Sequence, residues 1–444
     1  MSAVSVTLGP QARRFSVYLD RLCDGVGHAD RKIPLYNYCV GLLLPGERKS
    51  IEPLAARLAP SHAKKLHQSL HHFVSESPWS DAEILRRVRG YVLPVMEAKD
   101  HIVSWQVEET VLPKKGTHTT GVARHVLGHT GRGENCQVAI SLWIVNGWTS
   151  CPVAWQLYLT REWVSDRRQR LQEEGLYKVR YRTESRMALE QIRQAVNEDI
   201  PRGVLVASSA IGTDPVFRSV VSRLGLKYVV GVEPSAKVLV QDQQSLSRQL
   251  ITGQPAPSVQ PMNRRGGDAH SKPGGTRALS VQQVALSLSP LSWKCISWRQ
   301  GTRRGLSSMF AAVRVRPAGN ANREGTLCPE EWLLIEWPRG EPQPRDYWIS
   351  TLPAHMPLGE LVNQVKRCWI VERDSQELKQ EVGLAHYEGR GWRGIHHHAT
   401  LCVAAYGFLV AERNSYCPWG RVGKLELPPP QIVAASDPRT VVRP

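Results

Sequence analysis

The chain has 444 residues, 41% of them hydrophobic and 22% charged, which suits a globular protein with a large buried core and room for roughly two to four domains. Lysine and arginine number 57 against 40 aspartate and glutamate, a formal net charge of +17, so the expected partner is a polyanion such as DNA or RNA, with an ordinary basic protein as the alternative. No apolar run reaches the roughly 18–20 residues of a membrane span, no signal-peptide pattern opens the chain, and the nine scattered cysteines contain no C-x-x-C pair; the expectation is a cytoplasmic protein with reduced thiols and no membrane association.

Residues 1–98 read as a helical N-terminal domain, because apolar residues recur at helical spacing in FSVYLDRLCDGV, YNYCVGLLL, PLAARLA and ILRRVRGYVLPVM. Breaks are expected at Pro45-Gly46, Ala59-Pro60 and Ser77-Pro78, and Ser50 with Pro53 reads as a helix start. Basic residues, Arg48 and Lys49 among them, punctuate these helices. They are solvated faces or a DNA-contacting surface.

Residues 99–232 change period. HIVSWQVEE, CQVAISLWIV and CPVAWQLYL are strand-like, and SRMALEQIRQAV is helical. The strand GVLVAS, the helix DPVFRSVVSRLG and the strand KYVVGV follow. Strand-strand-strand-helix-strand-helix-strand is the order of an RNase H-like α/β core, in which the first and fourth strands are neighbours. Glu109 and Ser208, at the ends of those strands, are then expected to face each other.

Residues 233–352 read as a β-rich insertion, with a Pro-, Gly- and Arg-rich stretch at 254–280 expected to be mobile. Its tryptophans and arginines either pack internally or stack on unpaired bases. Residues 353–415 return to the core with one long helix from Pro357 to Val382, a Gly-rich turn and an apolar helix; 416–444 read as a disordered, proline-rich tail.

Two-metal phosphoryl transfer needs carboxylates from separate elements converging on two divalent ions. Three stations have the right order and spacing. The first is Glu109, with Glu108 on the other face of its strand. The second is position 208, a serine. The third is Glu372, with Lys379 two turns on and Cys368 one turn before on the same helix face. Asp374 and Glu377 point elsewhere, and Asp214 reads as a helix cap. His396, His397 and His398 diverge by about 100° per residue on a helix, so packing or DNA proximity is the better reading than a metal cluster.

On these motifs the chain resembles insertion-sequence transposases of the DDE class, close to the insertion-sequence-701 group. The resemblance runs through CDGVGHADRK, GERKSIEPLAARL, PKKG with GVAR, NCQVAISL, ERDSQELKQEVGL and HYEGRGWRG with HHHATLCVAAYGFLVAER. It implies a DNA-binding helical part, an RNase H-like core, a β-rich insertion, Mg²⁺ as cofactor, and a homodimer on double-stranded DNA. It puts forward Lys114, Lys115, Arg390 and Arg393, beside Arg48 and Lys49, as DNA contacts.

Carried over by residue, the resemblance implies that the metal-binding aspartates fall on Glu109 and Ser208, while Glu372 and Lys379 are kept. Its usual tyrosine and arginine before the glutamate fall on Val365 and Cys368, and Ser375 and Ala385 stand for a tyrosine and an aspartate. The extra methylene of Glu109 displaces its carboxylate by about 1 Å, which can cost about 10²-fold in rate. Ser208 supplies no charge. The expectation is a transposase-family DNA-binding protein that has lost cleavage, with Glu109 and Glu372 as residual metal ligands; the alternative is an active enzyme with an atypical triad.

Overall fold

The computed structural model describes residues 8–126, 133–166, 179–240, 277–300, 305–318, 328–416 and 427–431. It opens with α1 (Pro10–Cys23), α2 (Lys32–Leu43), α3 (Ile51–Leu58), α4 (Ala63–Ser75) and α5 (Asp81–Lys99). The three expected breaks all fall between helices. Ser50 is the N-cap of α3, and Pro53 sits in its first turn, where a missing N–H costs nothing. The Ser80 hydroxyl caps α5 by accepting the Glu83 N–H. Helix α2 is buried on every side from Pro34 to Leu43, so its sequence is apolar all round.

Strands β1 (Ser104–Pro113), β2 (Ala123–Val126), β3 (Gly133–Val145) and β4 (Ser150–Leu157) come next, then the short α6 (Arg161–Ser165). β2 and β4 both pair antiparallel with β3, along different stretches, and β1 bonds β3 as well. The chain divides into two compact units: the first holds residues 1–102, 109–182 and 370–444, the second residues 103–108 and 183–369. Strand β1 contributes its first half to the second unit and its remainder to the first.

The second unit continues with α7 (Glu184–Asn197), β5 (Val204–Ala207), α8 (Ser209–Gly212), α9 (Pro215–Arg223), β6 (Tyr228–Gly231), β7 (Lys237–Val240) and β8 (Arg277–Ser280). There follow α10 (Val281–Ser287), β9 (Lys294–Gln300), β10 (Gly305–Pro317), β11 (Glu331–Trp337), β12 (Asp346–Ser350) and α11 (Leu358–Lys366). β1, β5 and β6 pair in parallel, and the sheet goes on antiparallel through β12, β11, β10, β7 and β8. The strand order and crossovers are those of an RNase H-like core. The β-rich insertion extends the sheet directly, because β12 pairs with β6. Phe310, Leu334 and Val229 from the sheet pack with Leu361, Val362 and Val365 of α11, and each such buried side chain contributes about 1.5–3 kcal/mol.

Most of the segment expected to be mobile, 254–276, lies outside the described residues, but its last four, Arg277–Ser280, form β8. They pair with β7, and Ser280 and Gln283 make a reciprocal capping box that starts α10. The single helix expected from Pro357 to Val382 is two. Helix α11 closes at Arg367, whose N–H returns to the Asn363 carbonyl, and α12 (Cys368–Gln380) starts directly after. No proline or glycine marks the break. The buried face of α11 completes the cluster of the second unit, whereas the buried residues of α12 from Ile370 on belong to the first.

The last helix, α13 (Trp392–Tyr416), starts inside the expected Gly-rich turn and is buried almost throughout. It packs on α5, α2, α4 and β4, with Phe408 against Phe15 at a ring separation of 4.5 Å. Residues 1–98 therefore do not stand as a separate domain; their core is shared with α13. The tail also differs from expectation. Pro428 is buried, and the Gln431 backbone exchanges two hydrogen bonds with the Asn37 side chain of α2, at 2.7 and 2.8 Å. The rest of 417–444 lies outside the described residues.

Candidate active site

Apolar β5 ends at Ala207, and Ser208 begins the turn into α8 as its exposed N-cap. Two glycines allow that turn to press on β6. A Cβ on Gly231 would lie 2.7 Å from the Ser209 nitrogen, and one on Gly212 would lie 2.3 Å from the Gly231 oxygen. Asp214, as expected, caps α9 by accepting the Val216 N–H at 2.9 Å, and it also accepts the Ser185 hydroxyl at 2.9 Å. It is committed there and does not replace a carboxylate at 208.

The β1–β5 register matches Gln106 with Val206. The matched pairs stop there; β5 ends at Ala207, and Ser208 already belongs to the turn into α8. The ladder does not reach Glu109 or Ser208, the two residues that the sequence sets face to face. Side chains alternate along a strand, and the hydrophobic pattern alone does not report which residue of one strand is level with which of the next. Glu108 is half-buried and already engaged, whereas Glu109 is exposed, with no side-chain partner among the described residues.

On α12, Glu372 is exposed and Lys379 half-buried. Asp374 and Glu377 point elsewhere, as expected. Buried Asp374 accepts the backbone N–H and the hydroxyl of Ser150, both at 2.8 Å, and Glu377 pairs with Arg413 of α13. Arg373 beside it donates to the Trp148 carbonyl at 3.1 Å. These bonds fix α12 at the β3–β4 turn, and nothing in the helical periodicity announces them.

The basic residues separate into two kinds. Lys115 and Arg390 are exposed, and their side chains have no partner among the described residues. Arg48 is exposed and 3.5 Å from Glu388. Arg393 donates to the Glu76 carbonyl at 2.7 Å. Lys114 donates to the Tyr387 carbonyl at 2.7 Å, and burial pushes its ammonium down to about 8. Lys49 is a correction: it is buried, and its ammonium donates to the Leu42 and Leu44 carbonyls at the end of α2. Burial, with Arg57 nearby, lowers it to about 8. Lys49 closes a helix end and is not a DNA contact.

The three histidines are packing residues, each with its own partners. The His396 Nδ1 donates to the Trp392 carbonyl, and its Nε2 accepts the Leu157 N–H. His397 stacks on Trp79 at 3.7 Å. His398 Nδ1 accepts the Tyr38 hydroxyl at 2.8 Å, its Nε2 donates to the Gly383 carbonyl at 3.0 Å, and burial pushes the imidazole down to about 3.

A family model described as DDE superfamily endonuclease matches residues 21–305, well over half of the chain. The chain belongs to this family. The matched stretch includes Glu109 and Ser208 and stops short of Glu372. A protein of Microchaete diplosiphon described as "Probable transposase for insertion sequence element IS701" is 28% identical over 209 residues, 47% of this chain and 50% of that relative. The match therefore spans half the relative's length.

DDE superfamily endonucleases use divalent metal ions. The residues here fit such ions poorly. The three positions offer two glutamates and a hydroxyl, whereas Mg²⁺ calls for anionic oxygens in tight octahedral geometry. Among the described residues no three His, Cys, Asp or Glu side chains gather as metal ligands. Among them, too, no helix is long and apolar enough to cross a membrane, and the eight described cysteines are free thiols.

Proposed function

We propose that this DDE-family chain is an insertion-sequence transposase that keeps a DNA-binding scaffold and has lost strand cleavage and transfer. The observation that carries the reading is Ser208, an uncharged residue at the exposed tip of β5 with no carboxylate free to replace it on α8 or the start of α9. Glu109 and Glu372 are the remaining candidate ligands and Lys379 a candidate DNA or phosphate contact; Lys115, Arg390 and Arg48 are the candidate backbone contacts. The proposed partner is double-stranded DNA carrying terminal repeats or sites derived from them, held by a cytoplasmic homodimer. The relative's description as a transposase and the +17 net charge support this reading.

The test is direct. Purified protein is incubated with labelled terminal-repeat DNA and Mg²⁺ or Mn²⁺, and the products are separated on a denaturing gel. Binding without nicking is the expected result, with affinity falling steeply as salt rises through counterion release. A metal-dependent product that disappears in Glu372→Ala would overturn the loss of chemistry, and a flat salt response would overturn the DNA reading. The alternative is a working enzyme with an atypical triad, in which Glu109→Gln and Glu372→Ala each abolish the product.

A further inference from the structure

A cavity of about 840 Å³ opens in the second unit between α9, the start of β6 and the strand ends at Pro317 and Pro329–Glu331. Its volume falls within the range of small-molecule sites. Pro215, Val216, Leu226 and Pro317 give it apolar walls. On its floor the Tyr228 hydroxyl donates to Glu331 Oε2 at 2.8 Å, and both residues are more than nine-tenths buried. Ser222 lines the same cavity. The second Glu331 oxygen has no hydrogen-bond partner among the described residues. It is left to accept from water or from a ligand in the cavity.

Burial holds the Glu331 carboxyl above its ordinary range, opposed by the Tyr228 bond and the charges of Arg218 and Arg314. At the mouth, Arg223 and Lys227 are exposed, and their side chains have no partner among the described residues. Nearby, Arg314 donates one N–H to the Glu330 carbonyl and leaves Nε and Nη1 without a hydrogen-bond partner among the described residues; the remaining charges that line the cavity are engaged. Arg218 donates to the Gly212 and Thr213 carbonyls, and Glu330 lies 3.2 Å from Arg316.

A simple cation is repelled at this mouth, and a simple anion finds an acceptor at the floor. The fitting molecule has an anionic end, a flat apolar body and N–H donors at the far end. We propose that this cavity binds a nucleotide, with its phosphate on Arg223 and Lys227 and the amino or imino hydrogens of its base on the open oxygen of Glu331. Glutamate accepts from base amino groups in this way. Guanine, with adjacent imino and amino donors, satisfies the floor best, and thymine, which lacks an amino group, least. The nucleotide is either free or an unpaired residue of a strand, and the inference stands apart from the transposase reading.

The experiment is calorimetric titration of the full-length chain with GMP, TMP, guanosine, a guanine-containing single strand and its duplex. GMP is expected to bind about tenfold more tightly than TMP or guanosine. Glu331→Gln keeps an acceptor for Tyr228 yet should weaken GMP by about tenfold. Arg223→Ala with Lys227→Ala should weaken GMP and leave guanosine unchanged. Thermal melts confirm that the variants are folded. A single strand that displaces GMP supports a strand residue as ligand, and GMP binding that no strand displaces supports a free nucleotide. No binding by any of these, equal binding of GMP and TMP, or a folded Glu331→Gln that binds like wild type would overturn the proposal.

Discussion

At position 208 a hydroxyl stands where two-ion chemistry calls for a carboxylate, and the side chain is exposed at a strand tip with room for a larger one. Ser208→Asp combined with Glu109→Asp should therefore fold normally and gain metal-dependent nicking of terminal-repeat DNA. If the double variant binds DNA and stays inert, the defect lies elsewhere, with Cys368 the next suspect. A second prediction concerns His398. Its folded-state value, about 3, lies below the roughly 6.5 of an unfolded imidazole. Its contribution to stability is thus complete above pH ~6.5 and is lost as pH falls toward the folded value, by up to about 1.4 kcal/mol per pH unit. Urea midpoints at pH 7.5 and 5 should differ less in His398→Gln than in the parent. Ser208 was legible in the sequence because an apolar strand has a visible end. Lys49 was not, because its role depends on carbonyls that only the end of α2 presents.

Among elements, the junction of α11 and α12 departs most from the sequence pattern. A continuous helical period ran through it, yet the chain turns at Arg367 because neighbouring apolar faces serve different cores. The residue before that turn is held firmly. The Lys366 ammonium lies 2.7 Å from Glu336, which is 1% exposed, and 4.6 Å from the ring centre of Trp298, with Phe310 and Trp348 close by. Lys366→Met leaves buried Glu336 with only Arg345, at 4.0 Å, and should cost about 3 kcal/mol, whereas adding Glu336→Leu should restore much of the loss. Denaturant unfolding of the single and double variants measures both; a neutral single variant would show that the pair contributes little. The cage also accounts for three aromatic residues of the insertion by internal packing, the first of the two readings the sequence allowed. Strands β9 to β12 were legible from their alternation. β8 was not, because it borders a low-complexity run and gains its partner only in β7.

For the molecule as a whole, composition and strand order gave the fold class, but the partition of the chain did not follow its linear order. Composition shifts near residue 98 suggested a boundary, while the packing joins residues before it to the last long helix. A fragment ending at Lys99 should consequently lack cooperative melting by circular dichroism and expose apolar surface to a hydrophobic dye. A fragment that melts sharply on its own would contradict the shared core. No local pattern could have shown this, since hydrophobic periodicity identifies which face is buried and not what buries it.

The position of α13 also affects how the protein is made. Helices α1, α2, α4 and α5 are complete once Lys99 has left the ribosome, yet the helix they enclose begins at Trp392. At about 5–20 residues per second, synthesis of the intervening chain takes on the order of 15–60 s. Throughout that interval the apolar faces of the first helices have no native partner. The nascent chain should therefore depend on ribosome-associated chaperones, with its yield on expression following how well they shield those faces until the last helix arrives.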